Sequence, residues 1–583
     1  MSAPLTAPLL DVRNLNVSFG ALSIINDVSF HINPGETLAV VGESGSGKSM
    51  TSMAIMGLLP RGLAKVRGSI KLDGQEIVGA KESSLRQMRG RTASMIFQEP
   101  MMSLNPVLSA GFQIKEMLRQ HKGLSDAEAT EEGIRLFDRV RIPDARRRFY
   151  HYPHMFSGGM RQRIMIAIAL ACSPRLLIAD EPTTALDVTI QAQILDLLND
   201  LQREIGTAIL FVTHDMGVVA NMADRVMVMR AGNTVETGPV REIFERPAAA
   251  YSKMLIEAVP RLGQTNGPIP APATTAVSEP VLSVHNLVTR FPIRGGAFRQ
   301  MIGRVHAVED ISFDIAPGET LSFVGESGCG KSTTGRSILY LNPPESGEIA
   351  FEGLTVRRDN KSEVANLRRN VQIVFQDPFS SLDPHQKIGS VLAEPLLCRG
   401  LASRKEAHEK AQHLLERVGL EASMVSRLPH EFSGGQRQRI CIARSLMLNP
   451  KLVIADEAVS ALDVSVKGQV VDLLMDLQQE FGLSYLFISH DMAVVDRISH
   501  RVAVMYLGEI VEIGPRSEVI GNPVHPYTQA LLKAVPNPSV AAADRRRRMS
   551  LTASDLPSPI RPLDYQPPKR SYREVGIGHF VLE

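Results

Sequence analysis

The chain has 583 residues, of which 44% are hydrophobic and 22% are charged, as in an ordinary globular protein. At about 150 residues per folding unit, a chain of this length predicts roughly four units. The 64 Lys and Arg residues nearly balance the 62 Asp and Glu residues, and the net charge of +2 argues against a dedicated nucleic-acid binder, which usually carries a strongly basic face.

The start of the chain, MSAPLTAPLLDVRNL, lacks the basic residues and the long apolar stretch of a signal peptide. The longest clean apolar run, 164–172, is far shorter than the roughly 18 residues that a membrane span needs. Any link to a membrane is therefore expected to pass through a partner protein. The four cysteines are scattered and form no C-x-x-C pair, so we expect neither a zinc site nor a thioredoxin motif, and a reducing cytoplasm suits them.

An internal repeat organises the chain. The first recurring motif is offset by 283 residues and the next three by 276, which indicates a tandem duplication rather than a short solenoid repeat. The motif pairs are GESGSGKS at 42–49 and GESGCGKS at 325–332, FSGGMRQR at 156–163 and FSGGQRQR at 432–439, LLIADE at 176–181 and LVIADE at 452–457, and THDM at 213–216 and SHDM at 489–492. We therefore predict domains at 8–260 and 281–537, a Pro- and Ala-rich linker at 261–280, and an irregular tail at 538–583 that docks only in places.

Each copy alternates short buried strands with helices. In the first copy we expect strands at 37–42, 176–180 and 208–214, and a helix at 190–205. The region 100–171 is richer in helical patterns and is expected to form a separate subdomain. This alternation predicts an α/β core with a largely parallel sheet, so two cores and two helical subdomains account for the four units.

Two glycine-rich loops of the form G-x-x-x-x-G-K-S each follow a predicted strand and precede a helix, the context in which this pattern holds a nucleotide. The glycines let backbone N–H groups surround phosphate oxygens, and the helix N-terminus adds partial positive charge. The lysines would reach the β- and γ-phosphates and the last serines would bind Mg²⁺. A Gly-rich turn without a ligand is the alternative. The predicted binding residues are Gly42, Ser44, Gly45, Gly47, Lys48, Ser49, Met50, Gly325, Ser327, Gly328, Gly330, Lys331, Ser332 and Thr333.

LLIADE and LVIADE each end in two carboxylates at the C-terminal end of a buried strand, where ligands bind in open α/β sheets. Asp180 and Asp456 would support Mg²⁺, through water. Glu181 and Glu457 are placed to polarise the attacking water. A solvated Asp-Glu pair in a turn is the alternative, but each pair follows a glycine loop within its repeat.

FSGGMRQR and FSGGQRQR resemble the signature motif of ATP-binding-cassette (ABC) proteins, and Gln98, Gln376, TALD, SALD, His214 and His490 match further family features. The resemblance covers residues 8–260 and 281–537. It implies two tandem ABC ATPase domains of the P-loop NTPase class, each with a RecA-like core and a helical subdomain, that bind ATP and Mg²⁺. It adds Gln98 and Gln376 as ATP and Mg²⁺ ligands and His214 and His490 as catalytic residues. Its signature residues would bind ATP: Ser157, Gly158, Gly159, Ser433, Gly434 and Gly435.

In this family two cassettes pair head to tail with ATP between them. The resemblance therefore pairs Lys48 with Ser433 and Lys331 with Ser157. Phe19 occupies the place where family members stack an aromatic ring on adenine, although a Phe near a strand end is more often a core residue. Phe291 is the corresponding residue of the second half, where a longer stretch separates it from the glycine loop.

SLNP, SSLDP and HPYTQALLKAVPNP resemble the ATPases of oligopeptide and dipeptide importers, and ADEAVSALDVS and YREVGIGHFV resemble the fused ATPases of bacterial glutathione importers. The resemblance implies two integral membrane permease subunits, a periplasmic substrate-binding protein, and a peripheral location on the cytoplasmic face of the inner membrane. The resemblance leaves the transported substrate open. Small peptides are expected, with glutathione as the leading candidate, and nickel complexes or sugars are the alternatives. No iron–sulfur cluster is expected in the tail because the last cysteine is Cys441. Ala458 replaces the usual Pro after the second Asp-Glu pair, but Glu457 remains.

Two other classes are possible. A soluble twin-cassette ATPase acting on a ribosome or on DNA would have a long charged helical insert or zinc cysteines, whereas the linker here is short and the cysteines are unpaired. An exporter ATPase would commonly carry its own membrane spans or lack the peptide-importer tails. For an importer, we expect the surface loops that begin at Gln98 and Gln376 to contact the permeases through Ser103, Leu104, Ser381 and Leu382.

Overall fold

The computed structural model describes residues 7–98, 103–183, 186–257, 259, 262–263, 279–295, 300–460, 462–535, 560–568 and 570–583. Most of the predicted linker lies outside these residues, as does the four-Arg run at 545–548 of the tail. The described residues form two cassettes of the same design.

The first cassette begins with a four-stranded antiparallel sheet in the order β2-β1-β4-β5 and continues with a six-stranded sheet in the order β10-β9-β3-β8-β7-β6. All neighbours in the larger sheet are parallel except β9 and β10. Its strands β3, β7 and β8 are buried along their whole length, as their continuous apolar runs require. The strands are β1 (Leu10–Phe19), β2 (Leu22–Ile32), β3 (Thr37–Val41), β4 (Ala64–Leu72), β5 (Gln75–Glu76), β6 (Ala93–Ile96), β7 (Leu176–Asp180), β8 (Ala208–Thr213), β9 (Arg225–Arg230) and β10 (Asn233–Pro239).

Helices between β6 and β7 form the predicted helical subdomain, around a core that includes Phe137 and Phe149. The two rings pack edge to face, with centroids 5.4 Å apart. The α-helices of this cassette are Lys48–Ile55, Glu82–Met88, Ala110–Lys122, Asp126–Arg139, Ala145–Arg148, Gly158–Leu170, Val188–Ile205, Met216–Met222, Val240–Glu245 and Ala250–Glu257.

The second cassette repeats this plan, with sheets in the orders β15-β14-β11-β12-β21 and β16-β17-β18-β13-β19-β20-β23-β22. The strands are β11 (Leu282–Gly295), β12 (Gln300–Ile315), β13 (Thr320–Val324), β14 (Ser346–Phe351), β15 (Leu354–Thr355), β16 (Val371–Val374), β17 (Leu452–Asp456), β18 (Ser484–Ile488), β19 (Arg501–Tyr506), β20 (Glu509–Pro515), β21 (Ile560–Arg561), β22 (Tyr572–Gly576) and β23 (His579–Leu582). The α-helices are Lys331–Ile338, Lys361–Asn370, Ile388–Leu397, Arg404–Arg417, Gly434–Leu446, Val464–Phe481, Met492–Ile498, Arg516–Gly521 and Pro526–Ala534.

The C-terminal tail corrects the prediction of an irregular segment. Strands β22 and β23 form a hairpin, and β23 pairs with β20, so the tail extends the core sheet of the second cassette. His579 is buried and its Nε2 lies 2.8 Å from Oε1 of the fully buried Glu512. The tail also closes one side of a cavity of about 210 Å³ in the second cassette. Within the described residues, no helix combines the length and the apolar character that crossing a bilayer requires.

Candidate active sites

Each glycine loop wraps around its own lysine. Lys48 Nζ donates to the carbonyl oxygens of Gly42 and Glu43 at 2.8 and 2.9 Å, and Lys331 Nζ donates to the equivalent carbonyls of the second loop at 2.7 and 2.8 Å. In both loops the glycine that precedes the lysine has a left-handed backbone and caps the helix that follows. A buried ammonium group and a helix N-terminus therefore face the same loop, an arrangement that suits a phosphate chain.

The predicted metal ligands lie together in both cassettes. Ser49 Oγ donates to Asp180 Oδ1 at 3.1 Å, and Ser332 Oγ donates to Asp456 Oδ1 at 2.6 Å. Burial raises the pKa of Asp180 to about 6, and it also raises the pKa of Asp456. Asp456 Oδ2 is buried and has no hydrogen-bond partner among the described residues. A divalent cation prefers hard oxygen donors and would compensate these carboxylates, so the residues fit Mg²⁺.

The first predicted catalytic carboxylate, Glu181, receives two side chains. Gln98 Nε2 donates to its Oε2 at 2.9 Å, and His214 Nδ1 lies 3.2 Å from its Oε1. Burial lowers the pKa of His214, but the hydrogen bond with Glu181 together with the negative charges of Glu181 and Asp215 more than offsets this effect, and the net shift is upward. The predicted glutamine, glutamate and histidine thus meet at one point.

The second cassette repeats this arrangement. Gln376 Nε2 donates to Glu457 Oε2 at 2.7 Å, and His490 Nδ1 lies 3.5 Å from Glu457 Oε1. Burial raises the pKa of Glu457, but His490, Lys331 and Ser460 together outweigh it and lower the pKa, which keeps the carboxylate charged. Both glutamates have positive φ angles, 47° for Glu181 and 49° for Glu457. This conformation is costly for a non-glycine residue, so the surrounding structure must hold it in place.

The signature serines begin helices in both cassettes. Ser157 and Ser433 each accept a hydrogen bond from the backbone three residues later, and both are exposed. Among the residues that the structure describes, no hydrogen bond joins either serine to a phosphate loop. The glycines that follow these serines face open space, because a Cβ added at Gly158 or Gly434 would meet nothing within 4 Å.

The phosphate loops do contact the opposite cassette, and their partners there had no role assigned from the sequence. Ser44 N–H donates to Asp463 Oδ1 at 3.1 Å, and Ser327 N–H donates to Asp187 Oδ1 at 2.6 Å. Thr189 also donates to Glu326 across the same boundary. The repeated TALD and SALD segments, which end in these aspartates, were the available signal. The phosphate loop of each cassette therefore contacts the other cassette, which carries the signature motif expected to face that loop.

Two tyrosines also contact the loops and were missed. Tyr527 OH accepts a hydrogen bond from Glu326 N at 3.0 Å, and Tyr251 OH accepts one from Glu43 N at 3.4 Å. They occupy matching positions in AAYSK and HPYTQ, so the repeat itself could have identified them. Of the predicted adenine-stacking residues, Phe19 is half-buried against the core of its cassette and Phe291 is exposed.

The expected permease-contacting loops need one correction. Leu104 and Leu382 are only 3% and 2% exposed and belong to the cores of the helical subdomains, so they are not surface residues. Ser381 donates through Oγ to Asp377 O at 2.6 Å, which folds the loop back on itself. The surface that this loop region offers includes the exposed ring of Phe379, against which Arg437 stacks.

Comparison with known families also assigns the two cassettes to ATP-binding domains. Residues 25–184 and 308–460 match the family described as ABC transporter, and together they make up more than half of the chain. The chain belongs to the ABC transporter ATP-binding proteins. Its cassettes bind ATP and hydrolyse it. Residues 235–280 and 511–558 match a second family, described as the oligopeptide/dipeptide transporter C-terminal region.

Relatives match the ABC chain over its whole length. The glutathione import ATP-binding protein GsiA of Pectobacterium atrosepticum is 51% identical over 617 residues, covering 100% of this chain and 99% of its own. GsiA of Escherichia coli K12 is 52% identical, covering 99% and 97%, and GsiA of Salmonella typhimurium is 52% identical, covering 98% and 96%. A solved structure of CbiO1 from Clostridium perfringens, part of an ABC transporter complex, matches 42% of this chain and 92% of its own, at 26% identity and a TM-score of 0.37.

Proposed function

We propose that this chain is the ATP-hydrolysing subunit of an ABC importer that takes up small peptides, with glutathione as the leading substrate. The observation that carries the proposal is the identity of 51–52% to glutathione import proteins over essentially the whole chain. The peptide-transporter C-terminal region, found after both cassettes, supports the peptide class. Nothing comparable favours the alternative, an ATPase acting on a ribosome or on DNA.

The proposal includes partners that this chain lacks. Two integral membrane permease subunits would form the pathway, and a periplasmic substrate-binding protein would select the peptide. The chain would then sit on the cytoplasmic face of the inner membrane of a bacterium, held there by the permeases.

The two ATP sites would be shared between the cassettes. Lys48 would face Ser433, and Lys331 would face Ser157. The contacts of Ser44 with Asp463 and of Ser327 with Asp187 support this pairing, because each aspartate follows the signature motif of its own cassette. ATP can drive closure only by binding the closed pair more tightly than the open one.

Hydrolysis would depend on the side chains gathered around each glutamate. Mg²⁺ bound by Ser49 and Asp180, or by Ser332 and Asp456, would neutralise phosphate charge. The carboxylate of Glu181 or Glu457 would accept hydrogen bonding from the attacking water, while the neighbouring histidine keeps that carboxylate in position. The γ-phosphate would be held by the lysine and the backbone N–H groups of the loop.

The test is uptake into proteoliposomes that contain this chain with its own permeases and binding protein. We expect ATP-dependent uptake of labelled glutathione that unlabelled glutathione inhibits more strongly than a tripeptide such as Ala-Ala-Ala. Protein carrying Glu181→Gln and Glu457→Gln is the matched control and should show ATP binding without uptake. Uptake of Ala-Ala-Ala without uptake of glutathione would show that the substrate is a peptide other than glutathione. Binding to ribosomes or DNA without any peptide uptake would refute the role as an importer.

A further inference from the structure

One pair of matched positions next to the shared boundary of the two cassettes differs in charge. Gln191 and Lys467 are related by the repeat offset of 276 and lie in the first turn of corresponding helices, Val188–Ile205 and Val464–Phe481. Each lies four residues after the aspartate that contacts the opposite phosphate loop, so it points to the same side of its helix as that contact. One member of the pair is neutral and the other carries a positive charge.

In the second cassette the charged member forms a close ion pair. Lys467 Nζ donates to Asp491 Oδ2 at 2.8 Å, and the two side chains are only 16% and 23% exposed. The other oxygen, Asp491 Oδ1, accepts the backbone N–H groups of Ala493 and Val494 and caps the helix Met492–Ile498. Asp491 directly follows His490, which contacts the catalytic Glu457. Lys467 therefore holds the turn that positions the histidine.

In the first cassette the same turn has a weaker support. Gln191 Nε2 donates to Asp215 Oδ2 at 3.4 Å, a long bond from a neutral amide. Asp215 Oδ1 caps the helix Met216–Met222 in the same way, and Asp215 directly follows His214. Charge-assisted hydrogen bonds are roughly twice as strong as neutral ones, so the two histidine turns are supported unequally.

The ammonium of Lys467 also acts across the boundary. Burial lowers the pKa of Lys467, but Asp491 and, from the first cassette, Asp215 more than offset it and raise the pKa. Lys467 likewise opposes the protonation of His214. The amide of Gln191 carries no charge and provides no such attraction to the second cassette.

We propose that Lys467 is a positioning residue that makes the two ATP sites unequal, with faster hydrolysis at the site of the second phosphate loop. By fixing the turn that contains His490 through a direct ion pair, it keeps the histidine against Glu457, whereas the turn that contains His214 has a long hydrogen bond from a neutral amide and interacts with the Lys467 charge only across the boundary. This proposal rests on ATP hydrolysis alone and is independent of the substrate that the importer carries.

The test measures which cassette traps nucleotide during turnover. A photoreactive, radiolabelled 8-azido-ATP is trapped with vanadate in the full chain, which carries a protease site inserted at 264–278, and cleavage then separates the labelled halves. We expect the wild type to label the second half about fivefold more strongly than the first, the ratio that corresponds to the stronger charge-assisted bond. Lys467→Gln should even out the labelling, and Lys467→Arg should keep the preference.

The decisive variant exchanges the two side chains, Gln191→Lys with Lys467→Gln, and should reverse the preference. Every other difference between the halves, such as Pro182 against Ala458, stays in place, so a reversal can come only from the exchanged pair. A purely structural role would lower labelling of both halves together. Equal labelling in the wild type, a preference that survives Lys467→Gln, or an exchange that does not reverse it would overturn the proposal.

Discussion

Two glycines of the first phosphate loop should respond oppositely to the same substitution. Gly42 has a φ of 155°, and a Cβ added there would lie within 3.0 Å of the backbone oxygen of Met229. Gly45 has a φ of 78°, and a Cβ there would meet nothing within 4 Å. Gly42→Ala should therefore damage folding, whereas Gly45→Ala should fold and lose ATP binding because its methyl group enters the space in front of the loop.

The magnitudes follow from this geometry. At Gly45 the cost is that of a left-handed alanine, about 1–2 kcal/mol. At Gly42 a backbone conformation that is essentially restricted to glycine costs about 1–3 kcal/mol, and overpacking against a buried strand adds about 1–3 kcal/mol. In a domain of this size 1 kcal/mol lowers the unfolding temperature by roughly 2–4 °C. Gly45→Ala should thus lose a few degrees, and Gly42→Ala on the order of 10 °C.

Thermal unfolding and nucleotide titration of both variants check these values. The second loop offers a matched pair, because a Cβ at Gly325 would meet the backbone oxygen of Met505 as one at Gly42 meets that of Met229, and a Cβ at Gly328, as at Gly45, would meet nothing within 4 Å. We expect Gly45→Ala to weaken ATP binding at least tenfold, which corresponds to about 1.4 kcal/mol of binding free energy, while the unfolding temperature falls by only a few degrees. Equal losses of stability in the two variants, or full ATP affinity in Gly45→Ala, would refute the assignment of Gly42 to packing and Gly45 to phosphate binding.

Three further outcomes are expected. Glu181→Gln together with Glu457→Gln should keep ATP binding and stop phosphate release, since the phosphate loops are intact but the water is no longer polarised; steady phosphate release would contradict this role. Asp463→Ala should weaken labelling of the first cassette by 8-azido-ATP about fivefold and spare the second, because one hydrogen bond to the first loop is lost, and equal loss in both halves would argue against crossed sites. His579→Ala should destabilise the second cassette by about 1–3 kcal/mol in thermal unfolding, because it removes a buried hydrogen bond, whereas Ile577→Ala, at a fully exposed position of the same hairpin, should have no effect.

The α/β core and the local chemistry of each site were predictable because their determinants are close in sequence or repeated. The spacing of glycines, lysine and serine after a buried strand specified the loop, and the structure brings Ser49 to Asp180 as the motif order implied. The meeting of Gln98, Glu181 and His214 followed from the family resemblance and lies within one cassette.

The predictions that were wrong or incomplete concern packing between distant parts of the chain, which no short sequence pattern encodes. Leu104 and Leu382 stand in loops with polar and proline neighbours, but the helical subdomains close over them. The tail forms a hairpin because Val581 and His579 are buried against β20, a strand more than 60 residues earlier. The contacts of Asp187 and Asp463 with the opposite loops involve the relative placement of two cassettes, which periodicity within one copy does not report.

The duplication also separates what both sites share from what only one has. The lysine, its two carbonyl partners, the serine–aspartate bond and the glutamine–glutamate bond recur in both cassettes with distances that differ by no more than 0.5 Å. The differences outside this set include Ser46 and Cys329 within the loops, Gln191 and Lys467, Pro182 and Ala458, and the tail strands of the second cassette. Both cassettes therefore have the parts needed to hold and hydrolyse ATP, and any functional asymmetry has to arise from the residues that surround those parts.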